Sequence, residues 1–399
     1  MLKMIIGRYL LFGVMAIESL ALPYFLSKDM YGEVEFYKYT AFLAQFGLFG
    51  AGTGYIARYL KSRISGLTNV FVIGAILQSI MIGLVVGGLV GSWTIATLSV
   101  LTVIALVFES IVKVREKYLL AMSFKPILSV GILLLAPLII FYDISIQGYV
   151  LLAFALATII YVTIIINVLN MLKRENHEIM SIWRTGFFRI YMENIKAGFV
   201  LNISTALMFL FFYIDRAIVR NSFPNLLGDY SLSFSIMQLT IVAITAFSYV
   251  NLVEFGKQAS DNTQFKQYMF KSLRRCFLLY ITIGMCSIIF AYVAEDFYQY
   301  DAVFETTLLM VVLFGFASVL GSLNAAHVYL GSVNVMTILM LITLVISCVL
   351  NFIIPLTTLS DYYLLLSKTY GLYLLFSILS FMYIYHRLHV TTNDSKVKK

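Results

Sequence analysis

Apolar runs of about twenty residues recur along the whole chain, separated by short polar turns. About twenty residues at 1.5 Å each span the hydrocarbon core of a bilayer, so each run predicts a transmembrane helix. The pattern places twelve, at about 5–26, 32–57, 67–90, 93–112, 124–142, 147–172, 196–220, 227–254, 272–294, 303–328, 333–353 and 363–386. The first two form a hairpin around Leu26-Ser27-Lys28-Asp29-Met30-Tyr31-Gly32. Between Arg8 and Lys28 the only charged residue is Glu18. The second span carries Lys38 near its start and Arg58, Lys61 and Arg63 at its far end. An ionised group at mid-membrane costs roughly 2.5–3.5 kcal/mol on insertion scales, so a lone acid there is a functional candidate.

Composition agrees with the pattern. The 399 residues are 61% hydrophobic and 12% charged, against about 25% charged in soluble domains. Mean hydropathy is +0.92. The predicted fold class is therefore an all-α polytopic membrane protein. The net charge of +8 does not imply nucleic acid as a partner, because the basic residues are sorted by side. With the N-terminus in the cytoplasm, 23 of the 28 Lys and Arg fall in cytoplasmic segments, leaving Lys28, Lys38, Arg216, Arg220 and Lys368 outside. The positive-inside rule then puts both termini in the cytoplasm. Lys3 and Arg8 before an apolar run invite comparison with a signal peptide, but Glu18 inside that run reads as a retained first span. Cys276, Cys286 and Cys348 have no metal-ligand spacing and read as packing residues.

The chain divides into an N-terminal six-helix lobe at 1–172, a linker at 173–194, and a C-terminal lobe with a short basic tail at 195–399. In the linker Ile179, Trp183, Phe187, Ile190 and Tyr191 recur at helical spacing beside Lys173, Arg174, Arg184 and Arg189, which suits a helix lying in the cytoplasmic interface. Met30-Tyr31-Gly32-Glu33 opens span two, and Leu226-Leu227-Gly228-Asp229-Tyr230 opens span eight, 196 residues later. Six spans per half makes this a parallel repeat about an axis along the membrane normal, with a cleft between lobes.

Candidate chemistry concentrates in four spans. Glu18 and Lys38 lie at similar depth on either side of the hairpin turn. They either pair, or Lys38 snorkels outward and Glu18 carries a proton. Lys38, Gln45 and Gly52 form a stripe at spacing seven in span two. Span seven offers Asn202, Thr205, Asp215 and Arg216, and span eight Ser231, Ser235, Gln238 and Thr245. Polar stripes in spans either bond helix to helix or line a wet cavity. Arg58, Lys61 and Arg63 either anchor the span or gather an anionic headgroup. Gly50 and Gly54 predict close helix packing, with a hinge as the other reading. Phosphate-cradling Gly-x-x-x-x-Gly-Lys-Ser/Thr, His-Glu-x-x-His and Gly-x-Ser-x-Gly are absent from the sequence, so no enzyme activity is expected.

The segment Leu22-Pro23-Tyr24-Phe25-Leu26-Ser27-Lys28-Asp29-Met30-Tyr31-Gly32-Glu33, with Gly47-Leu48-Phe49-Gly50 and Arg58-Tyr59, resembles the opening of Wzx-type polysaccharide flippases. Asp215-Arg216 followed by Leu227-Gly228-Asp229-Tyr230-Ser231-Leu232-Ser233-Phe234 is similar in the second half. That family belongs to the multidrug/oligosaccharidyl-lipid/polysaccharide exporter (MOP) superfamily. The resemblance implies two six-helix lobes in a V and alternating access across a bacterial inner membrane. It implies a cargo of undecaprenyl-pyrophosphate-linked oligosaccharide, O antigen or a similar surface polysaccharide. It also implies a polysaccharide polymerase and a chain-length regulator as partners. Glu18, Lys38, Gln45, Arg58, Lys61, Arg63, Asp215, Arg216 and Gln238 become candidates to line the cavity or couple transport. No cofactor is expected, and direction would come from a H+ or Na+ gradient or from downhill flow of the cargo. The alternatives are a MATE-like multidrug/cation antiporter and a membrane-embedded glycan polymerase, the last requiring a large outer loop that the sequence lacks.

Overall fold

The computed structural model describes residues 2–62, 67–90, 92–115, 117–142, 144–169, 186–258, 262–324, 326–330 and 332–397. Among them every regular element is helical. The helices are α1 (Leu2–Phe25), α2 (Lys28–Leu43), α3 (Ala51–Ser62), α4 (Leu67–Val90), α5 (Trp93–Val114), α6 (Phe124–Tyr142) and α7 (Ile146–Leu169). Then follow α8 (Phe187–Ser222), α9 (Leu227–Gln258), α10 (Asn262–Tyr298), α11 (Val303–Gly321), α12 (Val333–Asn351) and α13 (Leu359–Val397). Eight helices are long and apolar enough to cross a membrane, and Leu10–Phe25 and Phe124–Ile139 are shorter apolar ones. Each of the twelve expected spans falls on one of these helices, except that span two is divided between α2 and α3 and span ten runs past the end of α11, where 322–324 form a turn and Ala326–Tyr329 a separate short helix. The protein is an all-α polytopic membrane protein.

Span two is broken. A 3₁₀ segment, Ala44–Leu48, separates α2 from α3, and Phe49 and Gly50 follow with φ of 49° and 84°. Gly50 accepts that conformation without a Cβ penalty. The absence of a Cβ serves a second purpose. At Gly50 it would strike the carbonyl of Gly198, at Gly54 the carbonyl of Asn194, and at Gly198 the carbonyl of Gly50. Three glycines thus let the α3 backbone meet α8 directly, the close packing expected of Gly50 and Gly54. The break also corrects the polar stripe: the seven residues Ala44–Gly50 are not α-helical, so Lys38, Gln45 and Gly52 do not share one helical face.

The chain forms two compact units, Met1–Leu210 and Phe211–Lys399, dividing within α8. In the first, α4 packs on α5, α6 on α1 and α7, and α7 on α5. Its core includes Tyr55 stacked on Phe71 at 4.4 Å, with Val103, Val107, Ile111 and Tyr191. Ile179 and Trp183 of the expected linker helix lie outside the described residues. Phe187, Ile190 and Tyr191 form the first turns of α8 and pack on this core. In the second unit α9 packs on α10 and α11, and α13 on α11 and α12. Phe212, Phe314, Tyr370 and Tyr373 interlock there with ring centroids 4.8–5.9 Å apart. Outward faces are apolar, with Leu134, Ile289 and Phe352 all exposed, as lipid-facing helices require.

The repeated openings of α2 and α9 hold their turns differently. Ser27 Oγ accepts from Met30 N–H at 3.4 Å, capping α2. Asp229 Oδ1 instead accepts from the Asp301 and Ala302 N–H groups, both at 3.0 Å, and so fixes the start of α11. Both tyrosines, Tyr31 and Tyr230, are buried.

Candidate functional site

The α1–α2 hairpin brings Glu18 and Lys38 together. The turn residues set α1 and α2 antiparallel, and α6 closes over them. Lys38 Nζ donates to Glu18 Oε1 and Oε2 at 2.8 and 2.9 Å. It also donates to Glu35 Oε1 at 2.6 Å, one turn back on α2. Ser129 Oγ of α6 donates to Glu18 Oε2 at 3.2 Å. Glu18 is 1% exposed. One ammonium is therefore shared by two carboxylates in an apolar setting. A buried ion pair survives only with good geometry and further hydrogen bonds, and here both are present.

That arrangement has two workable charge states. With Glu18 ionised, Lys38 lies between both acids. With Glu18 protonated, Lys38 keeps Glu35 as its counter-ion, and no buried cation is stranded. A turn further along the same helices, Lys125 Nζ lies 4.6 Å from the centroid of the Phe42 ring, a cation–π contact.

Arg58 lies elsewhere in the first unit, bound to α8. Its Nη1 donates to Ile190 O and Asn194 Oδ1, both at 2.8 Å, and its Nη2 to Glu193 Oε2 at 2.7 Å. Its charge is thus matched by a carboxylate. Gln45 is half-buried in the 3₁₀ segment. The Lys61 side chain and Arg63 lie outside the described residues.

Asp215 and Arg216 belong to the second unit. Asp215 Oδ1 accepts from Thr369 Oγ1 at 2.8 Å and lies 3.6 Å from Lys368 Nζ, and Lys368 also donates to Asn351 Oδ1. Asp215 is fully buried. Arg216 lies over the rings of Tyr230 and Phe234 at 5.4 and 5.0 Å, a cation–π setting. Gln238 is exposed. Sequence reading did not find Glu35, Ser129, Asn351, Lys368 or Thr369. For Glu35 a signal existed, because it stands three residues before Lys38 on one helix. For Lys368 there was none, because its acid comes from a helix 153 positions earlier.

Comparison with solved structures shows the fold to be that of MATE-family transporters of the MOP superfamily. An inward-facing multidrug resistance MATE transporter aligns with a TM-score of 0.72 at 14% identity, over 98% of this chain and 99% of that one. An outward-facing MATE transporter gives 0.62 at 13% identity, over 98% and 96%. A mutant of the Vibrio cholerae MATE transporter VcmN gives 0.62 at 16%, over 98% and 96%. No family model matches the sequence, and no curated protein does.

Proposed function

We propose that this chain is an alternating-access exporter of the MATE-like multidrug/cation type, in which Glu18 exchanges a proton or a cation against cargo. The observation that carries the reading is the ammonium of Lys38 shared between Glu18 and Glu35. A carboxylate at this depth is costly, and a coupling role accounts for keeping it. Each charge moved across 100 mV gains about 2.3 kcal/mol. The fold supports the same class, since solved proteins that share it are described as multidrug resistance transporters in inward- and outward-facing states.

A second reading has its own support. The residues Leu22–Glu33 and Leu227–Phe234 resemble polysaccharide flippases, whose cargo would be undecaprenyl-pyrophosphate-linked oligosaccharide. A pyrophosphate needs cations with free capacity. Lys38 and Arg58, two of the basic residues this reading would use, already hold carboxylates of the chain. That observation favours the exporter.

Expression in an efflux-deficient bacterial host separates the two. The exporter raises resistance to an organic cation such as ethidium, and Glu18→Gln removes that resistance at equal membrane abundance. Unchanged ethidium sensitivity, together with build-up of lipid-linked repeat units on deletion in the source organism, would overturn the exporter for the flippase.

A further inference from the structure

The second unit has a groove on its outer face that coupling does not use. It is a shallow, open depression of about 410 Å³ between α11 and α13, lined by Glu305, Leu308, Leu309, Val312, Leu313 and Tyr363. The five α11 residues follow the i, i+3, i+4, i+7, i+8 spacing and so form one stripe. Leu308 and Val312 are exposed, 37% and 50%. Val312 and Leu313 themselves lie in a π turn, Val311–Gly315, where the Tyr280 hydroxyl donates to Val311 O at 3.0 Å. The lining is apolar throughout; Glu305 stands in the first turn of α11 with its charge close enough to Tyr363 to act on that phenol, at the end of the groove and not in its wall.

Glu305 is exposed, and among the described residues it makes no hydrogen bond or ion pair. Its neighbour Glu295 is differently used, with Oε2 accepting from Phe304 N–H at 2.6 Å. The helix macrodipole favours an acid in a first turn, but it does not account for an apolar groove leading away from that acid. The charge context is one-sided. From Arg275 to Lys368 the sequence contains no other lysine or arginine, while Glu295, Asp296, Asp301 and Glu305 cluster at this end.

We propose that this groove is a binding site for an aminophospholipid. One acyl chain lies along Leu308, Leu309, Val312 and Leu313, and the primary ammonium of the headgroup binds the Glu305 carboxylate beside Tyr363. Burial of methylenes supplies affinity without discrimination. The charge-assisted hydrogen bond to Glu305 supplies the discrimination.

Native mass spectrometry of the purified protein tests this, after equilibration with vesicles of equal parts phosphatidylethanolamine and phosphatidylglycerol. Expected is about tenfold more bound phosphatidylethanolamine, the factor that 1.4 kcal/mol supplies. Glu305→Gln abolishes that preference while keeping total lipid. Leu309→Trp fills the groove and lowers the count of both lipids by one. Thermal unfolding of each variant in detergent verifies that it is folded. Equal retention of the two lipids by the wild type overturns the proposal, as does a preference that survives Glu305→Gln.

Discussion

Both units bury an acid against a lysine, but they do so with different arithmetic. In the first, Lys38 serves two acids, Glu18 and Glu35, and Ser129 adds a donor. In the second, Lys368 serves Asp215 alone among the described acids, and its other partner is the neutral amide of Asn351. Protonating Glu18 leaves Lys38 with a counter-ion. Protonating Asp215 leaves Lys368 with the neutral Asn351 amide in place of a counter-ion. On the function proposed above, the first cluster is the one that changes charge, and the second fastens helices together. A lysine shared by two acids is what distinguishes a candidate coupling site from a fastening between helices.

The largest expected effect follows from that contrast. Glu18→Gln lowers gradient-driven transport in proteoliposomes by more than about tenfold, with insertion intact, and Glu18→Ala does so at least as strongly, the scale being set by loss of about 1.4 kcal/mol or more per decade. Wild-type rates in both variants would remove the acid from the coupling step.

The second effect is on stability. Lys368→Met strands Asp215 and costs about 3–5 kcal/mol, read as a fall in the thermal midpoint in detergent. Adding Asp215→Asn recovers most of that loss and leaves transport near wild type. Neutralising Glu18, Glu35 and Lys38 together recovers stability in the same way but leaves transport abolished. If the second unit's double variant also stopped transport, the contrast between the units would collapse.

The third effect concerns the broken span. A Cβ at Gly54 meets the Asn194 carbonyl, a backbone atom with no rotamer to give. Gly54→Ala therefore costs about 1–3 kcal/mol by overpacking, measurable by the same unfolding assay. Gly13→Ala, where a Cβ would find open space, is the matched control and has no such cost. The smallest effect is at the cap: Asp229→Ala frees the Asp301 and Ala302 N–H groups and costs about 1 kcal/mol, with transport retained.

How much of this was legible from the chain depends on whether partners are near in sequence. The twelve spans were readable because the bilayer imposes a length of apolar residues. The Glu18–Lys38 meeting was readable because a short turn fixes the relative depth of two adjacent helices, and both residues lie at similar distance from Lys28. Three-dimensional closure decided the rest. Lys368 sits near the start of its span and was placed with the outer segments, where its pairing with Asp215 has no sequence signature. The spacing of Gly50 and Gly54 announced close packing but not the break, since Phe49 adopts a positive φ that its residue type gives no reason to expect. From the sequence Arg58, with Lys61 and Arg63, either anchors the span or gathers an anionic headgroup. The structure ties it to Glu193, from a segment 135 residues away, and this shifts the favoured cargo from a pyrophosphate lipid toward an organic cation.

The central claim is that Glu18 trades a positive charge against cargo. The most direct measurement is proton release on adding tetraphenylphosphonium to the purified protein, followed by calorimetry in buffers of different ionisation enthalpy. A proton released by the wild type and none by Glu18→Gln, with cargo still bound, is the predicted result. Equal proton release from the two proteins, together with equal displacement of bound sodium ion, would contradict the account.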